Sequence, residues 1–449
     1  MKEFNFEKLP IVEIANEIII DAVNKGASDI HFDPSKEALK IRFRIDGILS
    51  DYSIVPSKYK RNMISRIKMI AGMNIMETRL PQDGAIKSKI GDRLLDLRVS
   101  TLPTNNAEKI VIRILDYSMS LAGLDNLGFS KDAMEKINKL IRIPNGIILV
   151  TGATGTGKST TLYSILQKLN TEEVNIITVE DPVEMDIAGI NQVQTQTEIG
   201  LTFATILRSI LRQDPNIIMI GEIRDDETAR IAVRASITGH LVLSTLHTNN
   251  SLNTIERLTD MDVERYLLGS SLEGIISQRL ARKLCPNCMI KRQTTEYEKQ
   301  VFKTVIGKDI NEMYVANKEG CPRCNHGYRG RLAILEVLIM NEKIKDAITN
   351  NAPKHVLRDL VYTGEVVTLL QDGLNKVVEG ETSFEEILKI VDLENDMTAY
   401  KDDNLVANLK MAQKAHSIKE TPQQPTPQVT QQAQQINNQI PNNVETVEF

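Results

Sequence analysis

A glycine-rich octapeptide carries the strongest chemical signal in this chain of 449 residues. It fits the pattern G-x-x-x-x-G-K-[ST] and reads Gly152-Ala153-Thr154-Gly155-Thr156-Gly157-Lys158-Ser159. In such a loop the backbone N–H groups surround phosphate oxygens, the lysine reaches the β- and γ-phosphates, and the final hydroxyl ligates Mg²⁺. The sequence therefore predicts a site for ATP and Mg²⁺ formed by these residues, here called the P-loop, and by Thr160.

The segments on either side of the P-loop have the patterns that a phosphate loop requires. Residues 146–150 are an apolar run typical of a buried strand, and residues 159–169 have helical spacing. The N-terminus of that helix would add partial positive charge beside the phosphates. The alternative is a glycine-rich turn with a chance lysine, which this strand–loop–helix setting disfavours.

Acidic residues follow two other apolar runs. Glu180 and Glu184 come after residues 176–179, and Glu222 comes after residues 217–220. Ligands of open α/β sheets bind at the carboxyl ends of the strands, where one glutamate can activate a water and another can hold Mg²⁺. We expect these glutamates to belong to the ATP site, although solvated loop acids are the alternative.

A histidine lies just beyond a further apolar run, residues 241–244. His247 would stand at the same edge of the sheet as the acids, which favours a role as a sensor of the γ-phosphate. The alternative is a purely structural histidine.

The cysteines form two C-x₂-C pairs that are separated by 32 residues: Cys285, Cys288, Cys321 and Cys324. Four thiolates at this spacing predict a closed, structural Zn²⁺ site that folds a loop without a core of its own. Disulfides or a redox pair are alternatives that a cytosolic setting disfavours. A zinc ribbon for nucleic acid is another alternative, with Arg279, Arg282 and Lys283 as basic flanks but few aromatic residues nearby.

Composition limits the remaining possibilities. Hydrophobic residues make up 41%, charged residues 25%, and the mean hydropathy is −0.20, which excludes a largely disordered or collagen-like chain. No apolar run approaches the roughly 18–20 residues that span a bilayer, and no secretory signal is evident. The net charge of −5 argues against nucleic acid as a partner. We therefore expect a cytoplasmic protein.

Apolar patterns divide the chain into parts. Alternating residues at 39–45, 94–102 and 109–115 predict an α+β domain near the N-terminus, and the apolar runs after residue 145 predict a parallel sheet covered on both faces. Residues 421–443 contain no charged side chain, which predicts a disordered tail. The predicted parts are the N-terminal domain (1–118), a linker (119–130), the α/β core (131–284), the zinc segment (285–324), a mainly helical part (325–415) and the tail (416–449).

These motifs, in this order, resemble the type II secretion and type IV pilus ATPase family over about residues 10–395. The segments that carry the resemblance are a Walker A segment (152–159), an Asp box (177–184), a Walker B segment (211–225), a His box (238–248) and the start of a PAS-like N-terminal domain (27–31 and 42–47). The resemblance implies a RecA-like P-loop ATPase core and a homo-hexameric, Mg²⁺-dependent motor. It also implies peripheral docking on an inner-membrane platform protein, at the cytoplasmic face, to power pilin assembly.

The resemblance also assigns roles to individual residues. Glu222 matches the catalytic glutamate, and Glu180 and Glu184 match acids near Mg²⁺. Four arginines match residues of the family's active site, with the first two brought onto the phosphates by the N-terminal domain: Arg98, Arg113, Arg208 and Arg212. An arginine at the γ-phosphate stabilises the transition state, whereas surface salt bridges are the alternative for each of them.

The tetracysteine segment is typical of extension motors of this family and generally absent from retraction motors, which favours assembly. Type IV pilus, type II secretion and competence pseudopilus stay open, as do a regulatory module with little hydrolysis and a nucleic-acid translocase. Extension motors often carry a further N-terminal domain, so we expect its input to be absent or supplied elsewhere. Ala107 stands where the family commonly has glycine.

Overall fold

The computed structural model describes residues 1–90, 93–116, 123–362 and 365–391. The predicted disordered tail at 416–449, residues 392–415 and part of the predicted linker lie outside these ranges. Within them, no helix is both long enough and apolar enough to cross a membrane.

The N-terminal domain is an antiparallel sheet of six strands in the order β3-β2-β1-β6-β5-β4. Its apolar residues alternate, as predicted, and pack with two helices into one core that includes Ile18, Phe32 and Phe43. The α+β composition agrees with the sequence pattern, and the likeness to a PAS domain stays a prediction. The elements are α1 (Ile11–Asn24), β1 (Ala27–Pro34), β2 (Ala38–Ile45), β3 (Ile48–Pro56), α2 (Ser57–Ile70), β4 (Gln82–Ile90), β5 (Arg93–Thr104) and β6 (Ala107–Asp116).

The second part of the chain is built on a sheet of seven strands in the order β15-β12-β7-β11-β10-β8-β9. The strands are parallel except for β15, which is antiparallel to β12. The elements up to the cysteines are α3 (Lys131–Leu140), β7 (Gly146–Thr151), α4 (Lys158–Leu169), β8 (Ile176–Glu180), β9 (Asn191–Gln194), α5 (Phe203–Ile210), β10 (Ile217–Ile220), α6 (Asp226–Ile237), β11 (Leu241–Leu246), α7 (Ser251–Asp260), α8 (Arg265–Ser271) and β12 (Leu272–Leu284). Short 3₁₀ turns lie at Leu124–Asn126 and Thr197–Ile199.

Helices cover both faces of this sheet, as the continuous apolar runs predict. Successive residues of β7 point to opposite faces, so that Ile147 and Leu149 belong to one apolar cluster while Ile148 and Val150 belong to another. All four apolar runs that predicted strands are strands, namely β7, β8, β10 and β11. Their carboxyl ends meet at one edge of the sheet.

The part predicted to be mainly helical begins with a strand instead. β15 (Tyr328–Ile339) adds to the core sheet, and the helices that follow are α10 (Glu342–Thr349), α11 (Lys354–Tyr362), α12 (Leu369–Val378) and α13 (Phe384–Ile390). Residues 332–339 are buried almost continuously. A short buried strand and a buried helix give the same apolar run, so periodicity alone could not separate them.

The cysteine segment is inserted between β12 and β15. It contains β13 (Ile290–Gln293), α9 (Glu296–Ile306) and β14 (Glu312–Val315). The apolar side chains of α9, Val301 and Phe302, are buried in a cluster shared with α12 and α13, so the segment packs against the rest of the chain and does not form a core by itself.

Candidate functional site

The P-loop joins β7 to α4 and takes a conformation that depends on its glycines. Gly152, Gly155 and Gly157 all have positive φ angles of 150°, 80° and 87°. A Cβ atom on Gly152 would lie 2.5 Å from the carbonyl oxygen of Gln278 and 2.6 Å from Oγ1 of Thr156. Only glycine at position 152 allows the loop to approach β12 this closely.

Gln278 of β12, which sequence reasoning missed, holds the P-loop from the side. Its Nε2 donates to the carbonyl oxygen of Thr156 at 2.7 Å, and its Oε1 accepts from the Thr161 hydroxyl at 2.8 Å. The side chain is buried. Because β12 also contains Ser277, Arg279 and other polar residues, no signal in the sequence distinguishes Gln278 from its neighbours.

Lys158 lies at the centre of the site. Its Nζ donates to the carbonyl oxygens of Gly152 at 3.0 Å and Ala153 at 3.1 Å. Burial lowers the pKa of the Lys158 ammonium, while the carboxylates of Glu222 and Glu184 oppose this shift. Two of the three predicted acids, Glu222 and Glu184, therefore favour the charged form of the P-loop lysine.

The carboxylate of Glu180, at the end of β8, accepts hydrogen bonds from other side chains of the protein. Its Oε1 accepts from the Thr178 hydroxyl at 2.6 Å and from Nε2 of Gln192 at 3.0 Å, and its Oε2 accepts from the hydroxyl of Tyr163. The residue is 4% exposed. This carboxylate fixes the start of the Asp box, and neither of its oxygens is left without a protein donor.

Glu184 is the acid of the Asp box that meets the P-loop. Burial raises the pKa of the Glu184 carboxyl, and Glu180 adds to the rise, while Arg98, the Ser159 hydroxyl and Arg113 oppose it. The Ser159 hydroxyl, which the sequence predicts as a Mg²⁺ ligand, is thus among the groups that lower the pKa of this carboxyl.

Glu222 follows β10 and is held on both sides. Its Oε2 lies 3.2 Å from Nε2 of His247, and its Oε1 pairs with the guanidinium of Arg224. Arg224 also donates to Oδ2 of Asp181 at 3.1 Å. The structure thus brings Glu222 and His247 together, and it adds Arg224, which sequence reasoning had not singled out.

Two arginines of the N-terminal sheet stand near the Asp box. Arg98 and Arg113 are directly opposite each other in β5 and β6. Nη2 of Arg98 donates to the carbonyl oxygen of Val183 at 3.1 Å, whereas Nε of Arg113 donates to Oδ1 of Asp29 at 3.3 Å. Both line a recess of roughly 330 Å³ on the face of the sheet. The hydrogen bond from Arg98 to Val183 is therefore a direct contact between the N-terminal domain and the Asp box.

The other two predicted arginines are not brought to the P-loop within this chain. Arg208 lies on α5 and pairs with Glu227 of α6, both exposed. Arg212 donates to the carbonyl oxygen of Arg208 at 2.8 Å and to Oγ of Ser209 at 3.2 Å.

The four cysteines converge into one cluster. Their Sγ atoms all lie within 4.8 Å of one another, with 3.8 Å between Cys285 and Cys321 and 3.6 Å between Cys288 and Cys324. Zn–S bonds of about 2.3 Å in a tetrahedron place sulfur atoms about 3.8 Å apart. The thiols are free rather than paired in disulfides, so the donor set fits a Zn²⁺ ion.

Comparison with known proteins identifies the family. Residues 5–389 match the family of type II/IV secretion system proteins. The chain belongs to this family. Among its curated members, the type II secretion system ATPase E of Vibrio cholerae is 44% identical over 382 residues, which cover 85% of this chain and 75% of the relative. The type IV pilus assembly ATPase PilB of Myxococcus xanthus is 45% identical over 381 residues, or 84% of this chain and 67% of the relative.

Solved structures of ATPases share the fold of this secretion-family chain. The pilus retraction motor PilT with bound ADP has a TM-score of 0.56 and 27% identity, over 88% of this chain and 98% of PilT. The Legionella pneumophila ATPase DotB has a TM-score of 0.62 at 22% identity, over 86% of this chain and 97% of DotB, which speaks for the fold alone. The predicted family, the α/β RecA-like fold and the ATPase class are confirmed.

In this family member the basic residues before the cysteines have internal partners. Nη2 of Arg279 donates to the carbonyl oxygen of Asn249 at 2.8 Å. Arg282 pairs with Glu386 and lies over the ring of Tyr328, with 4.0 Å between its Cζ and the ring centroid. These two guanidinium groups therefore stabilise the core instead of forming a basic surface.

Proposed function

We propose that this chain hydrolyses ATP with Mg²⁺ to power assembly of a type IV pilus or a secretion pseudopilus. The observation that carries the proposal is the convergence of Lys158, Glu184 and Glu222 at one P-loop, with Arg98 reaching the same place from another domain. The names of the curated relatives support the biological setting.

Each residue near the P-loop has a distinct role in this proposal. The P-loop and Lys158 bind the phosphates, and Ser159 and Glu184 would hold Mg²⁺, which neutralises charge on the phosphate oxygens. Glu222 accepts a proton from the attacking water, and His247 orients the glutamate through their 3.2 Å contact. In this conformation Arg224 forms an ion pair with the Glu222 carboxylate. Arg224 must therefore move away before Glu222 can accept that proton.

The N-terminal arginines would make hydrolysis depend on the position of their domain. Arg98 already contacts the Asp box, and Arg113 shares its face of the sheet. A guanidinium that reaches the γ-phosphate stabilises the charge of the transition state. Since the arginines belong to a separate domain, movement of that domain would switch the chemistry on and off.

The tetracysteine cluster would hold a structural Zn²⁺ ion through Cys285, Cys288, Cys321 and Cys324. The mutual distances of their sulfur atoms support this assignment. The ion would fix the two ends of the inserted segment, because each C-x₂-C pair lies at one of them. The segment favours assembly over retraction, and the competence pseudopilus is an alternative setting.

The remaining parts of the proposal concern assembly and organisation. We propose a homo-hexamer that acts on an inner-membrane platform protein from the cytoplasmic side, with no nucleic-acid partner. Arg208 and Arg212 would serve the ATP site only through such an assembly, since in this chain they face α6 and their own helix. The predicted division into N-terminal domain, core, zinc segment and C-terminal helices is retained, with β15 counted as part of the core sheet.

The deciding experiment compares Glu222→Gln and Lys158→Ala with the parent in Mg²⁺-dependent ATP hydrolysis and nucleotide binding. We expect Glu222→Gln to retain nucleotide and to lose activity by a factor on the order of 10²–10⁴, and Lys158→Ala to lose binding. Glu296→Gln, an exposed acid on α9 that pairs with Lys299, is the control. Unchanged turnover in Glu222→Gln would favour a regulatory module that barely hydrolyses ATP. A knockout scored for surface filaments, secretion and DNA uptake then identifies the machine.

A further inference from the structure

Three neighbouring strands of the core sheet carry a row of buried polar side chains next to the P-loop. Thr151 of β7 is in register with Ser277 of β12, and Ser277 is in register with Glu336 of β15. Thr151 is the residue immediately before Gly152. Thr151 and Ser277 are fully buried and Glu336 is 1% exposed, in a region where the other strand residues are mostly apolar.

Hydrogen bonds connect this row to the helix that follows the His box. Oγ1 of Thr151 lies 3.0 Å from Oγ of Ser277, and Oγ of Ser277 lies 3.4 Å from Oγ of Ser251, the first residue of α7. The N–H of Ser251 donates to Oε1 of Glu336 at 2.9 Å. The carboxylate thus completes a network that begins at the base of the P-loop.

Glu336 accepts from the first residue of a helix. Ser251 begins α7, and its N–H lies 2.9 Å from Oε1 of Glu336. Burial raises the pKa of the Glu336 carboxyl, while hydrogen bonds from Ser251 and the charge of Arg279 oppose the rise. A carboxylate at a helix N-terminus is stabilised by the N–H groups and the dipole there, which offset part of the cost of its burial.

The loop of His247 is attached to the same strands. It spans residues 247–250, and Arg279 of β12 fixes the Asn249 carbonyl at 2.8 Å while Glu336 fixes Ser251 at 2.9 Å. His247 in turn lies 3.2 Å from Glu222. A shift of Ser251 therefore reaches Glu222 through only four residues of backbone.

We propose that Glu336 is a positioning residue for the ATP site, which ties strand β15 to the P-loop and to the loop of His247. This inference rests on the proposed hydrolysis of ATP at that site. Through Ser251 and Ser277 it sets the end of β7, and through Ser251 it sets His247 and hence Glu222. A movement of β15 and a change of nucleotide state are thereby coupled.

The test compares Glu336→Gln with Asp372→Asn in the full-length protein. Asp372 is the matched control, because it is a buried carboxyl on α12 that accepts the N–H of Leu335 at 2.9 Å, one residue before Glu336. Glutamine removes the charge and presents an NH₂ group in place of one of the two acceptor oxygens near the N–H of Ser251. We expect Glu336→Gln to lower kcat roughly tenfold, as loss of an orienting partner does, with KM for ATP little changed. Asp372→Asn should leave kcat at the parent value.

Amide hydrogen exchange supplies a readout that does not depend on hydrolysis. Residues 248–253 should exchange faster in Glu336→Gln than in the parent and in Asp372→Asn. Equal kcat and equal exchange in the two variants would overturn the proposal. If Glu336→Gln does not fold, Ser277→Ala interrupts the same row with a small change, and an unaltered kcat in that variant would overturn it as well. A parent that does not hydrolyse ATP would refute the proposed function, while the exchange comparison would still decide the role of Glu336.

Discussion

Arg98 in the N-terminal sheet donates a hydrogen bond to the carbonyl oxygen of Val183, 3.1 Å away in the core domain. The two residues are separated by 85 positions in the chain. Val183 immediately precedes Glu184, whose carboxyl also responds to the charge of Arg98. The Arg98 guanidinium therefore binds the backbone of the Asp box and also lowers the pKa of its Glu184 carboxyl.

Replacement of Arg98 should separate binding from turnover. We expect Arg98→Ala to bind a fluorescent ATP analogue as the parent does, and to lose kcat by a factor on the order of 10³. Arg98→Lys should recover only part of the activity, since an ammonium cannot reproduce the planar set of donors. Arg42→Ala is the control, because Arg42 lies in the same sheet and is bound to Asp33. Parent-like turnover in Arg98→Ala would contradict the assignment.

Loss of zinc should loosen the inserted segment from its ends. Cys288→Ser, or removal of the metal by a chelator, should lower the zinc content and expose residues 286–292 and 316–327 to protease first. Helix α9 should resist longer, because Val301 and Phe302 are buried against α12 and α13. Asn287→Ser, between the first two cysteines, should keep both zinc and resistance. Unaltered protease resistance after metal removal would refute the zinc assignment.

Ala107 has a backbone conformation that favours glycine, with a φ angle of 155°. The neighbouring residue, Glu108, is fixed by a buried ion pair with Lys68 at 2.7 Å, which helps to hold the strained position. Strain of about 1–3 kcal/mol exceeds the entropic cost of glycine, about 0.5–1 kcal/mol. Ala107→Gly should therefore raise the free energy of unfolding by roughly 1 kcal/mol in denaturant titrations. Ala85→Gly, in strand β4 of the same sheet, should lower it.

Acid should weaken the N-terminal domain through Asp21. Burial would raise the pKa of this carboxyl, but hydrogen bonds from Lys2 and Tyr52, at 2.7 Å and 2.6 Å, outweigh it and lower the pKa. A lowered folded-state pKa gives stability that is present above the unfolded value of about 3.9 and is lost as pH falls through the folded value.

Asp21→Asn should consequently be less stable than the parent by about 1 kcal/mol at pH 7. This difference should shrink towards pH 3, as equilibrium unfolding at both pH values can measure. Asp51→Asn, which removes an exposed pair with Lys40, should show little effect at either pH. An equal deficit of Asp21→Asn at both pH values would contradict the role given to its charge.

The sequence was most informative where a signal is local. The P-loop with the strand before it, the three apolar strands before the acids and His247, and the paired cysteines all lie within short segments. The structure has these four strands where the apolar runs predict them. Strand β15 was missed because an apolar run of this length also suits a buried helix. An apolar pattern predicts that a residue is buried, but it does not predict which residues will pack against it.

Contacts between distant segments account for the rest. Gln278 and Thr156 are 122 positions apart, so no motif connects them. Arg224 lies within the Walker B segment, yet its pairing with Glu222 depends on the turn after β10. Arg208 and Arg212 show the reverse case, because family resemblance gives their role while in the single chain they contact Glu227 and the backbone and side chain of α5.

The position of Gln278 beside the P-loop has a further consequence for ATP binding. Fixing the backbone of a flexible segment costs about 1–2 kcal/mol per residue in conformational entropy. Here the hydrogen bond from Gln278 of β12 to Thr156 offsets part of this cost when the protein folds. The Thr156 carbonyl is fixed before any ligand binds, so less of the P-loop has to be ordered when a triphosphate arrives. Unequal affinities among copies of this chain would therefore arise from where Arg98 and Arg113 stand, and not from ordering of the glycine-rich segment itself.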